Sequence, residues 1–371
     1  MNILFTILAI VGFLGVIATS IWYVAYRITR LFSLKKMKFV VLMVTLFFIS
    51  SLVLMAIGSA SRYIFVGVIS TIAGYCIGFY MYLVMSLLIF HVLQLIIKTA
   101  PKQLVRWCPI GLAVLVTVVG GIQASVFQVN QIEIYLDDLK EDVDVMHISD
   151  VHLGYQRGKE YLSKIVHETN QYKPDLVVIT GDLIESNHAL LPGELEPLSE
   201  FDAPVYYVGG NHENYLDEEE VFRLMKDQGV TVLRNEVIKT PKLTLVGLDY
   251  MRPDEETMDV HATEDKRTIK DELAKLTIDQ ETPSILLLHN AIGLEYIEEA
   301  GIDLLLSGHT HGGQMFPGTL LNQFLYEYNK GLYEFGGTQV FVTKGAGTFG
   351  SRIRLGSSNE IVLIHLKPGN K

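Results

Sequence analysis

Residues 143–152 read VDVMHISDVH: a short apolar run, Val143 to Ile148, that ends abruptly in Asp150 and His152. The same grammar recurs four times downstream. Asp175 to Thr180 runs into Gly181-Asp182, and Val205 to Val208 runs into Gly210-Asn211-His212-Glu213. Ser284 to Leu288 runs into His289-Asn290, and Asp303 to Leu306 into Gly308-His309-Thr310-His311-Gly312. Short runs rich in Val, Ile and Leu predict strands buried on both faces. Helical stretches are predicted between several of them, at Lys159 to Tyr172, Asp217 to Gln228, Glu264 to Leu276 and Gly293 to Ala300. This alternation is that of a layered α/β domain. Ligands collect at the carboxyl ends of strands in open α/β sheets, so five strand ends can converge on one crevice. Five of the eleven histidines fall in these clusters, and together the clusters offer enough nitrogen and oxygen donors for two adjacent metal ions. Gly181, Gly210 and Gly308 stand just before the donors, where the chain must leave the sheet sharply.

The composition breaks near residue 128. No Asp or Glu occurs from Met1 to Phe127, and the charges there are nine basic residues: Arg27, Arg30, Lys35, Lys36, Lys38, Arg62, Lys98, Lys102 and Arg106. All 41 acidic residues come later, against 21 of the 30 basic ones, so the second part carries a formal −20. Two domains are expected, a membrane region over 1–128 and a soluble domain over 129–371. A domain this acidic argues against nucleic acid, whose phosphates are met by clustered Lys and Arg.

Charge-free apolar runs fill about Asn2 to Tyr26, Phe39 to Ser61, Tyr63 to Ile97 and Pro109 to Phe127, each near or above the ~20 residues that a spanning helix needs. Four spans are read, the third as one long helix tilted or projecting beyond the lipid. Arg27 to Lys38 and Lys98 to Arg106 are the basic loops, which stay on the cytoplasmic side. The soluble domain is therefore expected outside the cytoplasm, on a multi-pass protein of the cell membrane. Cys76 and Cys108 both lie in the membrane region, and the soluble domain has no thiol to oxidise.

The five clusters, in this order, resemble the calcineurin-like metallophosphoesterases, whose pattern is Asp-x-His, Gly-Asp, Gly-Asn-His-(Asp/Glu), His and Gly-His-x-His. The membrane region makes the chain similar to that superfamily's membrane-anchored subfamily, the transmembrane proteins with a metallophosphoesterase domain and related bacterial phosphodiesterases. Residues 308–314, 345–347 and 359–361 resemble the same subfamily. The resemblance implies a four-layered sandwich, two mixed sheets flanked by helices, preceded by the four membrane helices. It implies one metal site completed by Asp150, His152 and His311 and a second by Asn211, His289 and His309. Asp182 bridges the two, since a carboxylate has lone pairs enough for both. Nitrogen and oxygen donors without thiolate suit two divalent ions such as Mn, Fe, Zn or Co better than Mg or Ca.

The implied chemistry is in-line attack on phosphorus by water activated between the ions, with His212 protonating the leaving group. Glu213 has two readings: it orients or charge-stabilises the His212 imidazole, or it sits near the start of the helix beginning around Asp217, where the dipole favours a carboxylate. The expected substrate is a lipid-linked or envelope phosphodiester or pyrophosphate, with the bilayer itself as partner. Two other readings stand beside it, a UDP-diacylglucosamine-type pyrophosphate hydrolase, which fits a cytoplasmic domain, and a non-catalytic metal-binding scaffold. Met315 to Tyr333 reads either as an apolar lip for an acyl chain or as an ordinary core segment. His91, His147, His167, His188, His261 and His365 are assigned structural or surface roles, and Ser357 to an exposed loop. The acidic runs 217–220 and 254–256 are read as solvated.

Overall fold

The computed structural model describes residues 3–99, 101–257 and 266–369. His261 and the first two residues of the helix expected from Glu264 lie outside them. Four helices come first, α1 (Ile3–Leu31), α2 (Met37–Ala60), α3 (Ile64–Ile96) and α4 (Lys102–Gln123). Each holds a stretch long and apolar enough to cross a membrane, and the 33-residue α3 is the single long helix expected.

The helices to Ser59 and over Phe65–Ile122, with Gly350–Ile353, form one compact unit; Ala60–Ile64, Gln123–Phe349 and Arg354 onward form the other. Within the first unit, α3 buries small residues, among them Gly67, Ser70, Ala73, Gly74 and Gly78. Such residues let helix backbones approach closely where no hydrophobic effect separates helix from lipid. Tyr23 Oη lies 3.2 Å from His91 Nδ1, and Ser20 Oγ 2.8 Å from Tyr80 Oη.

The second unit continues with β1 (Phe127–Leu136), β2 (Val143–Ile148), α5 (Lys159–Tyr172), β3 (Leu176–Thr180), β4 (Val205–Val208), α6 (Glu218–Asp227), β5 (Thr231–Val232), β6 (Glu236–Lys239), β7 (Thr244–Gly247), α7 (Ile269–Leu273), β8 (Ser284–Leu287), α8 (Leu294–Glu299), β9 (Leu304–Ser307), α9 (Gly318–Leu325), β10 (Gly331–Phe335), β11 (Thr338–Val342) and β12 (Asn359–Pro368). They make two six-stranded sheets, ordered β1-β12-β2-β3-β4-β5 and β10-β11-β9-β8-β7-β6. Both are mixed: β2 to β5 run parallel, as do β7, β8, β9 and β11, while β12 against β2, β6 against β7 and β10 against β11 are antiparallel.

Strand periodicity sorts the side chains into layers. Val143, Val145, Val178, Ile285, Leu287, Leu304 and Leu306 fill the space between the sheets. The alternate residues of β2 and β3, Met146, Ile148, Val177 and Ile179, face outward onto α5. Leu286, Leu288 and Leu305 face outward toward α7 and α8. The four-layered sandwich expected from the sequence is therefore the fold. Its central strands are apolar on both faces, which is why they read as continuous rather than alternating runs.

His147 is the exception inside the sheet. It points with Val143 and Val145 into the interior, fully buried, with Nε2 2.8 Å from Thr180 Oγ1 and Nδ1 without a partner. Burial pushes its pKa down to about 3. The unfolded chain, titrating near 6.5, takes up the proton first, so stability is complete above about pH 6.5 and falls as pH drops toward about 3, by at most ~1.4 kcal/mol per pH unit. In chelator-treated protein, where metal loss is already complete, thermal melts of His147→Leu should fall less steeply between pH 6 and 4 than those of the parent. Parallel slopes would assign the acid sensitivity elsewhere.

Candidate active site

Every cluster predicted from the sequence sits at the carboxyl end of its strand: Asp150 and His152 after β2, Asp182 after β3, Asn211 and His212 after β4, His289 after β8, and His309 and His311 after β9. Three of these strands belong to one sheet and two to the other, so the site lies across the seam of the sandwich. The turns are tight. Asp150, His152, Asp182, His309 and His311 all take left-handed backbone, with φ between 49° and 70°, a region that costs an L-residue energy and clusters at functional sites. Gly308 has no room for a side chain, since a Cβ there would collide with Asp150 and Ser149. Gly181, at φ +81°, would place one 2.7 Å from the Gly210 Cα.

Three donor groups result among the described residues: Asp150 with His152 and His311, Asp182 with His289 and His309, and, at the edge, His152 with Glu185 and His212; the first two hold the predicted ligands. In the Asp150 group, the two Nε2 atoms of His152 and His311 stand 3.0 Å apart and His311 Nε2 is 3.4 Å from Asp150 Oδ1. In the second, His289 Nε2 is 3.1 Å from Asp182 Oδ2 and 3.2 Å from His309 Nδ1. Two imidazole nitrogens each ~2.0–2.1 Å from one ion come to about this separation. Asp182 Oδ2 also lies 3.8 Å from His152 Nε2, which puts it between the groups, where a bridging carboxylate belongs. Asn211 is buried, and its Oδ1 has no partner. An orphaned amide oxygen of this kind is what a cation would satisfy. The donor set therefore fits two metal ions.

The outer atoms of the ligands are fixed as well. His289 Nδ1 is 2.7 Å from the Thr180 carbonyl, and His152 Nδ1 is 2.7 Å from Glu185 Oε2. Each contact directs the opposite ring nitrogen into the site. The Asp150 carboxylate accepts from the His309 backbone N–H at 3.0 Å, and Asp182 Oδ1 from the His212 N–H at 2.9 Å. Burial raises the pKa of Asp182, but the His289 and His212 charges outweigh it and hold the carboxyl well below its usual range. Burial likewise lowers that of His289, yet Asp182 brings it up to about 9.

His212 stands at the edge of the site, its Nε2 3.8 Å from Asp182 Oδ2 and its Nδ1 2.8 Å from Glu185 Oε2. Burial pulls its pKa down, and the charges of Asp182 and Glu185 carry it up to about 10. Glu185, half-buried at the rim, is pushed up by burial and brought down to about 2 by its bonds to His152 and His212.

Glu185 is the carboxylate that the sequence reading missed. Glu213 does not stand in the first turn of α6, and its charge adds to those that raise the His212 pKa. Fully buried, it accepts from the backbone N–H groups of Asp182, Ile184 and Gly210 at 3.0, 3.0 and 2.8 Å. It fastens two ligand loops together, the one after β3 and its own after β4. Glu185, three residues past Asp182, carried no signal beyond that nearness, because its partners come from β2 and β4.

Arg354 was also missed. Completely buried, it donates to the carbonyls of His311, Lys344 and Gly347 at 3.0, 2.7 and 2.7 Å and to Ser357 Oγ at 2.8 Å. Ser357 is thus buried, and the exposed loop expected at that position is corrected. Aromatic rings line the rim: Tyr215 against His212, Tyr326 against His309 and Phe349 against His311, with centroids 5.7, 5.8 and 5.2 Å apart. Of the histidines set aside, His188 stacks on Tyr155 and His365 pairs with Asp144 at 2.7 Å.

Two imidazole and carboxylate groups flanking one central aspartate, at the strand ends of a double-sheet sandwich, make a candidate dimetal site of the metallophosphoesterase class. The chain belongs to the calcineurin-like phosphoesterases, matching that family over residues 143–313. It is 34% identical over 249 residues to an uncharacterized metallophosphoesterase of Helicobacter pylori, across 66% of this chain and 65% of that one. Identity to an uncharacterized metallophosphoesterase of Aquifex aeolicus is 31% over 233 residues, 61% of this chain and 85% of the relative. A Danio rerio transmembrane protein with metallophosphoesterase domain is 33% identical over 256 residues, 65% of this chain and 57% of that protein. The match thus spans just under two thirds of the Helicobacter protein's length.

Asp182→Ala should lower bound metal to one ion or none and remove nearly all turnover, while His167→Ala, on the exposed face of α5, should do neither. Elemental analysis of purified protein beside a phosphodiesterase assay checks both. Two ions and full activity in Asp182→Ala would refute the bridging role.

Proposed function

We propose that the chain is a membrane-anchored phosphoesterase that hydrolyses a phosphodiester or pyrophosphate bond of a lipid-linked or envelope substrate outside the cytoplasm. The observation that carries the reaction is the placement of His212, whose Nε2 faces the shared Asp182 while Glu185 holds its Nδ1. Asp150, His152 and His311 would hold one divalent ion, and Asn211, His289 and His309 the second, with Asp182 common to both. Mn, Fe or Zn in these positions would lower the pKa of water and neutralise phosphoryl charge.

The chain's own contribution is proton delivery and positioning. As the bond from phosphorus to the leaving oxygen breaks, the His212 imidazolium gives its Nε2 proton to that oxygen, and the charge of Glu185 keeps the ring protonated and aligned.

The membrane reading rests on four long apolar helices, and the sidedness on the basic loops between α1 and α2 and between α3 and α4. The lipid class rests on tethering, which raises the local concentration of membrane-borne substrates. A cytoplasmic domain would instead favour the nucleotide-linked alternative. A non-catalytic scaffold would have no use for a Glu185–His212 pair beside an intact donor set.

His212→Ala should keep its metal and slow hydrolysis of an alkyl phosphodiester by ~10²–10⁴-fold. The loss should be much smaller with p-nitrophenolate, a leaving group that hardly needs a proton. Equal losses on both substrates would rule out proton donation.

Sidedness is read with single thiols. With Cys76 and Cys108 changed to Ala, Ser199→Cys on the exposed surface of the soluble domain should react with a membrane-impermeant maleimide on intact cells, once any outer membrane is permeabilised. Leu34→Cys in the first basic loop should react only after lysis. The reverse pattern would place the active site in the cytoplasm.

A further inference from the structure

Helix α9 is built inside out. Its buried residue is polar: Asn322 donates to the Thr310 carbonyl at 3.2 Å and to Asn329 Oδ1 at 2.6 Å. Its outward residues are Leu320, Leu321, Phe324 and Leu325, which are 54%, 54%, 80% and 76% exposed. Positions i, i+1, i+4 and i+5 share one face of a helix. An ordinary surface helix shows the opposite arrangement, with the apolar face inward.

Single exposed leucines are normal, whereas a contiguous stripe marks a contact surface. Among the described residues after Phe127, nine large apolar side chains are exposed, and five of them fall within Phe316–Leu325. The core reading of this segment is thereby excluded.

Charge and tether identify what covers the stripe. From Leu304 to Tyr326 the chain has no Asp, Glu, Lys or Arg, so none has to be dehydrated if the segment enters an apolar phase. The rest of the soluble domain is strongly acidic, and two like-charged copies repel as they approach. α4 ends at Gln123 and β1 begins at Phe127, and the three residues between them reach at most ~10 Å. A domain on so short a leash after a membrane span stays within reach of lipid.

The geometry points to α9 as an interfacial docking helix, whose Leu320, Leu321, Phe324 and Leu325 enter the headgroup and acyl boundary of the bilayer that the chain's own helices span. Interfacial helices bury their apolar face in this way. The helix hangs from the metal loop itself, through Asn322 to Thr310 and through the Tyr326 ring to His309. Docking therefore sets that loop at the lipid surface. The inference rests on the membrane-anchored reading and not on the reaction, and its test reads no turnover.

The full chain, with Cys76 and Cys108 changed to Ala, is labelled with a nitrobenzoxadiazole fluorophore at Phe324→Cys, and separately at Leu321→Cys. It is placed in nanodiscs of mixed phosphatidylcholine and phosphatidylglycerol. Both side chains are exposed, so neither label disturbs the core. Acyl-chain doxyl lipids should quench both labels several-fold more than a label at Ser199→Cys, and aqueous iodide should show the reverse order. Iodide quenching at 324 and 321 equal to that at 199 would overturn the proposal. So would labels shielded from iodide and untouched by doxyl lipid, with energy transfer between copies, since the occupant would then be a second chain.

Discussion

The site depends on keeping the buried Asp182 carboxylate charged. Asp150, Asp182 and Glu213 are each at most 2% exposed, and Glu185 lies beside them at the rim. Isolated, such anions would cost several kcal/mol apiece to bury, or would take up protons instead. Each is answered by a different means. Glu213 is met by three backbone N–H groups, Glu185 by two imidazoles, and Asp150 by the His309 N–H and the imidazole of His311. Asp182 faces His289 and, at longer range, His152 and His212. Burial and ionisation are reconciled only while cationic or N–H partners surround the carboxylates, and two divalent ions would complete that balance.

The same constraint explains the backbone. Five left-handed residues at the ligand positions would not persist on a free loop, because each is disfavoured. Here the sheet edges over-determine them. Asp150 N–H bonds to the Gly181 carbonyl at 3.1 Å and His152 N–H to the Asp182 carbonyl at 3.0 Å, which extends the β2 and β3 pairing past the strand ends. Gly308 N–H bonds to the His289 carbonyl at 2.9 Å in the other sheet. From the far side, Ala346 N–H reaches the Ser149 carbonyl at 2.9 Å, and Arg354 spans the 311, 344 and 347 carbonyls. The strain is carried by two sheets rather than by the loops that display it.

What was legible in the sequence was local. A strand and the donor that follows it are contiguous, so Asp150, Asp182, His289 and His309 announced themselves, and the double burial of β2, β3, β8 and β9 appeared as unbroken apolar runs. The structure gathers six of the seven metal-ligand candidates into close groups, and the seventh, Asn211, is buried between Gly210 and His212. Glu185, Arg354 and the aromatic rim were not legible, because their roles exist only through partners far away in the chain: Glu185 meets His212 across 27 residues, and Phe349 meets His152 across 197. Glu213 was visible as part of a motif, but its task was not, since which atoms a buried carboxylate accepts from is set by the fold. Among the described residues, the helix expected over Glu264–Leu276 is confined to Ile269–Leu273, with Thr268 capping it through the Asp271 N–H at 3.1 Å. That side-chain acceptor at N-cap fixes the start where periodicity alone had placed it earlier.

The loop from Gly308 to Gln314 joins these observations. It carries His309 and His311, receives Arg354 on its carbonyl side, and supplies the Thr310 carbonyl to Asn322. Thr310 Oγ1 donates in turn to the Asn329 carbonyl. A helix fastened through its one buried polar residue cannot turn its apolar stripe inward without leaving Asn322, Thr310 and Asn329 unsatisfied, which is expensive in a buried setting. The outward stripe of α9 is therefore dictated by the hydrogen bonds that support the metal loop. Whatever covers the stripe bears on a loop that already holds two of the seven candidate donors, so the proposed docking surface and the candidate site are two faces of one short segment.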